Sequence, residues 1–340
     1  GAGVVSGRAD SRIAGAAQPQ LVAAADGRVW LAYGQDHDVL VARSDDGGKT
    51  FQPPTKVTTE PELLLGMRRG PRLAVHGDRL TITLIAAELV SFQSADAGRT
   101  WTGPVKVNDA PASAQEGLHD LAASPNGELF VTWLDNRSGT MELWGAASAD
   151  GGRSWSKNQR VYKSPAISVC ECCHPSALFD AEGNLAVMWR NSIDGMRDMW
   201  MMTRPRGASQ FGPARKVGEG SWPLKGCPMD GGRIVALGGG RFGAVFQRAG
   251  EVFLASDDGS EKSLGRGKQP VAAVVGASPL VLWQDGSDLV AMQTGQSPKK
   301  QAPDARFATI VALPGGHGAV LAYEQGAAKE RRPEIVIERL

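Results

Sequence analysis

All four cysteines of the 340-residue chain fall in two short strings. Cys170-Glu171-Cys172-Cys173-His174-Pro175 holds three, and Cys227-Pro228-Met229 holds the fourth. A lone buried cysteine is often inert packing, but three thiols within four residues are not distributed as packing is. Thiolates joined by an imidazole and a thioether suit a soft ion, Cu(I) first and zinc as the alternative. The ligand set would be Cys170, Cys172, Cys173 and Cys227, with His174 or Met229 assisting. Three other chemistries use the same residues. In an oxidising compartment Cys227 would form a disulfide with one of the three, whereas a bond between the neighbours Cys172 and Cys173 would be strained. Cys170-x-x-Cys173-His174 matches the c-type haem string. A third cysteine interrupts it and no apolar pocket for a macrocycle is evident, so haem is not expected. A Cys-x-x-Cys pair also exchanges disulfides, but such pairs normally open a helix, and this one precedes a strand-like run. Met188, Met196, Met199, Met201 and Met202 lie nearby, yet Met199 and Met201 alternate as core residues of a strand do.

The two strings are 54 residues apart, so the fold must bring them together. An internal repeat says how. Ser44-Asp45-Asp46-Gly47-Gly48-Lys49-Thr50-Phe51, Ser94-Ala95-Asp96-Ala97-Gly98-Arg99-Thr100-Trp101 and Ser148-Ala149-Asp150-Gly151-Gly152-Arg153-Ser154-Trp155 share one pattern, Ser-x-Asp-x-Gly-x-Thr/Ser-aromatic. Asp46, Asp96 and Asp150 are placed to bond their own backbone in a tight reversal, and the aromatic to pin it. Repeats at this period mean stacked four-stranded units, hence an all-β propeller.

Seven short apolar runs, from Leu21-Val22-Ala23-Ala24 to Ile310-Val311-Ala312-Leu313, read as inner strands. This predicts a single domain over 1–340 with seven blades; six is the alternative, because the last two units are short. The last unit has a third strand at Glu334-Ile335-Val336-Ile337 and no fourth, so the Val4-Val5 stretch is expected to close the ring and remove an open edge.

In such a ring both cysteine strings enter the inner strands of neighbouring blades and open on one face, at the channel mouth. The same face receives Asp135, Arg137, Arg190, Arg197 and Asp198, and the loops entering blades two and three add Arg68, Arg69, Arg72, Glu116, His119 and Asp120. Any rim is polar. The grouping around the cysteines singles out Arg190, Arg197 and Asp198 as catalytic candidates, with Asp135, Arg137 and His119 as rim residues.

The repeated turns resemble the Asp-box (BNR repeat) of sialidase-like β-propellers. That resemblance implies a turn between the third and fourth strands of a blade, away from the ligand face. Sialidases proper have six blades and hydrolyse a terminal sialic acid with an arginine triad, a Tyr–Glu nucleophile pair and an Asp acid. Ala17-Gln18-Pro19 stands where the family places Arg-Ile-Pro, and Tyr33, Tyr162 and Tyr323 lack the expected neighbours. The sialidase catalytic set is therefore not recognisable, and the resemblance assigns no enzymatic activity. A bacterial sialidase-like subgroup resembles the chain more specifically, over about 60 residues: Cys170-Glu171-Cys172-Cys173, Arg190, Arg197-Asp198, and Trp222 ahead of Cys227-Pro228. It implies no activity either.

The charge balance, 37 basic against 36 acidic residues, argues against a nucleic-acid groove or an anionic membrane surface as partner. No apolar run approaches the roughly 18 residues of a membrane span. The chain begins at Gly1 without a signal peptide, as a mature or trimmed form would. The expectation is a periplasmic or secreted monomer that binds a metal ion or small molecule on its upper face. Copper handling or metal-dependent chemistry leads; sialidase-like hydrolysis or binding of a glycan, with structural disulfides, is the alternative; an interaction scaffold is the third.

Overall fold

The computed structural model describes residues 11–327 and 333–340. Seven four-stranded antiparallel sheets form a ring. Blade one runs outward through Ala17–Ala23, Val29–Gln35, Asp38–Ser44 and Thr55–Thr59. The inner strands of blades two to seven are Arg72–His76, His119–Ala123, Ser176–Phe179, Arg233–Gly238, Lys268–Val275 and Ala305–Ala312. Blade six is complete out to Lys299–Ala302, so the count is seven and the six-bladed alternative is set aside. The outermost strand of blade seven is Ser11–Ala14, paired with Glu334–Arg339 in the register Ser11↔Ile337 to Ala14↔Glu334. Ends of the chain thus close the ring. Val4-Val5 lies outside the described residues, and the closing segment is Ser-Arg-Ile-Ala.

The second strand of each blade is covered on both faces, which is why these runs are apolar without alternation. Trp30, Trp133, Trp189 and Trp283 sit fully buried on four of them. The core lies between blades. Met188, Met199 and Met201 pack with Ile234, Phe242 and Phe246 between blades four and five, so these methionines are core residues. The inner strands present small residues to the axis because seven of them converge there. They enclose a channel of about 430 Å³ lined by alanine, valine and leucine.

The three repeated turns share one hydrogen-bond set. Asp46 accepts from the Thr50 amide (2.9 Å), the Thr50 hydroxyl (2.5 Å) and Ser44 Oγ (2.8 Å), while the Gly48 amide donates to Ser44 Oγ (2.8 Å). Asp96 and Asp150 repeat the pattern. The Thr100 hydroxyl and amide hold the Asp96 carboxyl at about 2. Each turn also reaches the preceding blade: Trp155 Nε1 donates to Ser91 Oγ at 2.9 Å. Gly152 has φ +86°, and a Cβ there would stand 2.7 Å from Thr81 Cγ2, so only glycine fits. The turns join third strands to fourth strands, on the face opposite the connections between blades. The one helical element among the described residues is a single 3₁₀ turn, Pro314–Gly316, so no helix is long and apolar enough to cross a membrane.

Candidate functional site at the channel mouth

The connection from blade three to blade four carries Cys170–Pro175, and that from blade four to blade five carries Cys227–Asp230. The ring sets them side by side, as the repeat implies. Cys172 and Cys227 form a disulfide across a Cα–Cα distance of 6.1 Å. Cys170 and Cys173 are free and buried. Cys170 Sγ lies 3.2 Å from Cys173 Sγ and 3.7 Å from Cys172 Sγ, and the three sulfurs fall within 4.8 Å of one another. The backbone fixes this group: the Cys170 amide donates to Arg190 O (2.9 Å), and the Asp230 amide to Cys173 Sγ (3.4 Å).

A four-thiolate set is therefore corrected. Cys227 is bonded to Cys172, and neither is a thiolate while that bond stands. His174 does not turn to the sulfurs. Its Nε2 lies 3.0 Å from Gly232 O and its Nδ1 accepts from the Gly231 amide at 3.3 Å. Burial, and then the charge of Arg68, hold its pKa well below the usual histidine value, so it stays neutral. Met229 packs against the three cysteines. Cys170 is the sulfur that ionises first: the Cys173 thiol donates to it, and Arg197 and Arg190 lower it further against the opposing effect of burial. Burial, and then the bond to Cys170, push Cys173 up.

Arg190, Arg197 and Asp198 are folded into the same region but not around an open groove. Arg190 is 1% exposed. Its Nε donates to Asp230 O (3.0 Å), Nη1 to Arg197 O (2.7 Å) and Nη2 to Gln247 O (2.8 Å), with the Trp222 ring 5.4 Å away. Asp198 accepts from the Trp222 amide (2.8 Å) and lies 3.7 Å from Lys216 Nζ. Arg197 Nε is buried without a hydrogen-bond partner. Elsewhere on the face, Asp135 is buried and accepts from Trp133 Nε1 (2.8 Å) and from Arg137 Nε (3.0 Å) and Nη2 (2.9 Å), while Arg137 stacks 3.8 Å above Trp144. His119 Nε2 lies 2.9 Å from Thr83 Oγ1. Burial, and then the charge of Arg72, lower it to about 3. These three residues pack the blades rather than face solvent.

What opens at the mouth is a recess of about 90 Å³ above the apolar channel, lined by Arg68, Arg72, Asp120, His174 and Arg233, with Gln18 opposite. Asp120 Oδ2 accepts from Arg233 Nη1 (2.6 Å) and the Ala177 amide (2.8 Å). Its Oδ1 stands 3.7 Å from Arg72 Nε and has no hydrogen-bond partner. Arg68 is fully committed to Gln269 and Ala308 O, whereas the Arg233 side chain is 28% exposed. Arg233 is the residue that motif reading misses. The signal is present: Arg72-Leu73-Ala74-Val75 and Arg233-Ile234-Val235-Ala236 open equivalent inner strands with the same pattern.

No model of a known protein family matches the chain, and no curated protein matches it. Solved structures do. Virginiamycin B lyase from Staphylococcus aureus superposes with a TM-score of 0.59 at 11% identity, covering 97% of this chain and 99% of that one. An α-L-arabinanase from Penicillium chrysogenum, in complex with arabinobiose, gives 0.55 at 12% identity over 96% and 93%. A leech intramolecular trans-sialidase gives 0.50 at 15% identity over 96% and 68%. At these identities the likeness is one of fold, a sialidase- and arabinanase-like propeller, and the three names span a lyase, an arabinanase and a trans-sialidase. The scaffold alone does not select a chemistry.

Proposed function

We propose that this is an exported, sialidase-like propeller that binds a carboxylate-bearing small molecule, of the sugar-acid class, at the channel mouth. The observation that carries this reading is the set Arg72, Arg233 and Asp120: two guanidinium groups line a recess in which the one carboxylate leaves an oxygen unbonded. Donors held by the scaffold and aimed into a concave polar site recognise a planar anion well. The recess of about 90 Å³ admits a carboxylate but not a sugar ring, so the ring would sit above it, on the face. Binding is favoured over hydrolysis, because Asp120 is already engaged by Arg233 and the Ala177 amide. The disulfide suits the oxidising compartment that export implies. Titration calorimetry with sialic and glucuronic acids and their neutral counterparts tests the proposal. The acids are expected to bind and the neutral sugars not, and Arg233→Gln should weaken binding at least tenfold. Equal affinity for neutral sugars, or no binding of either acid at millimolar concentration, overturns it.

A second reading is supported by the three sulfurs of Cys170, Cys172 and Cys173 with Met229 packed against them. These donors fit a soft ion, Cu(I) or else zinc, once the disulfide is reduced. Fully reduced protein is then expected to withdraw one equivalent of Cu(I) from a chromophoric chelator, and oxidised protein none. Uptake below one equivalent by the reduced protein removes this reading.

A further inference from the structure

Two cysteines suffice to staple two blades, yet this site holds four, and their burial is graded. Cys227 is exposed, Cys172 is 8% exposed, and Cys170 and Cys173 are 1% exposed each. A bond that solvent reaches thus lies directly above a pair of thiols that solvent does not reach. The distances form a chain: Cys227 bonded to Cys172, Cys172 at 3.7 Å from Cys170, Cys170 at 3.2 Å from Cys173. Such a chain needs only small shifts of side chains to pass a disulfide inward.

We infer that the four cysteines are a disulfide relay, in which the exposed Cys172–Cys227 bond and the buried Cys170/Cys173 dithiol exchange oxidation state within one chain. In the first step Cys170, having lost its proton, attacks Cys172 Sγ. The Cys170–Cys172 bond forms and the Cys172–Cys227 bond breaks; Cys227 leaves with the electron pair and takes a proton from solvent. In the second step Cys173 loses its proton and attacks Cys170 Sγ. The Cys170–Cys173 bond forms, and Cys172 leaves with the electron pair and is protonated. Two electrons and two protons move from Cys170 and Cys173 to Cys172 and Cys227, with no outside reactant. Thiolate attack through a mixed intermediate is the ordinary route of such exchange. The exposed pair, now reduced, is the one that a disulfide-bearing small molecule or protein can reach and reoxidise. The relay is independent of the sugar-acid reading, since neither Arg72 nor Arg233 takes part.

The test maps sulfur pairing. Fully reduced protein is oxidised stepwise in glutathione buffers, quenched by alkylation and analysed by peptide mass spectrometry. Chains with one disulfide are expected to contain two populations, Cys172–Cys227 and Cys170–Cys173. After removal of glutathione these should interconvert at a rate independent of protein concentration. Cys227→Ser protein is expected to form Cys170–Cys173 and leave Cys172 alkylated. If Cys170 and Cys173 are alkylated in every one-disulfide chain, or if interconversion scales with protein concentration, the relay is overturned. The wild-type measurement decides alone should the variant not fold.

Discussion

Arg190→Ala is expected to cost on the order of 5 kcal/mol of stability, because three buried carbonyls lose a charged donor and a cavity opens. The acceptors belong to three different segments: Asp230 in the connection to blade five, Arg197 in the loop of blade four, and Gln247 at the end of a blade-five strand. The side chain is therefore a bolt through two blades, and Trp222 covers it. Lysine is not expected to rescue the loss, since one ammonium cannot reproduce a planar fork that serves three directions. Urea unfolding of the wild type, Arg190→Ala and Arg190→Lys measures this. An Arg190→Ala midpoint equal to the wild type would show that the three contacts are dispensable. The same variant should also expose Cys170, whose amide donates to Arg190 O.

The second large effect is expected at Asp120. Its carboxylate holds the Ala177 amide and Arg233, faces Arg72, and is 1% exposed. Asp120→Asn keeps the shape and removes the charge that balances the guanidinium groups. Breaking one side of a buried ion pair costs about 3 to 5 kcal/mol, so a loss near the lower end is expected for this partly hydrated mouth. Acetate or sulfate should restore part of it in the variant, because an anion in the recess supplies the missing charge and binds only the folded form. The wild type should gain less. Denaturation midpoints with and without acetate provide the measurement, and a variant indifferent to anions would mean that the recess is closed to them.

Much of the fold was legible because its signals are local and repeated. Each Asp turn states its own hydrogen bonds, and the inner and second strands are apolar runs. The closing strand was not, since Ser11–Ala14 carries one large apolar residue, Ile13, and owes its place to pairing with Glu334–Arg339 more than 300 residues away. At the site, the ring geometry that joins the two cysteine strings followed from the repeat, but the partner of Cys227 depends on backbone directions within two loops. Arg190 and Asp135 looked like rim residues because they end second strands. In the folded ring those ends tuck under the neighbouring connections, where carbonyls and Arg137 take up their charge. Arg233 escaped notice because its importance lies in a register shared with Arg72, not in a motif.

The strand that seals the ring has a kinetic consequence. It is near the start of the chain, and its partner is near the end, so the last blade stays open-edged until the whole polypeptide has folded back on itself. Contacts of such long sequence separation form late. Meanwhile Glu334–Arg339 offers unpaired backbone groups to any passing copy of Ser11–Ala14. Crowded refolding would thus favour domain-swapped chains that trade this one strand, each ring complete but completed by its neighbour.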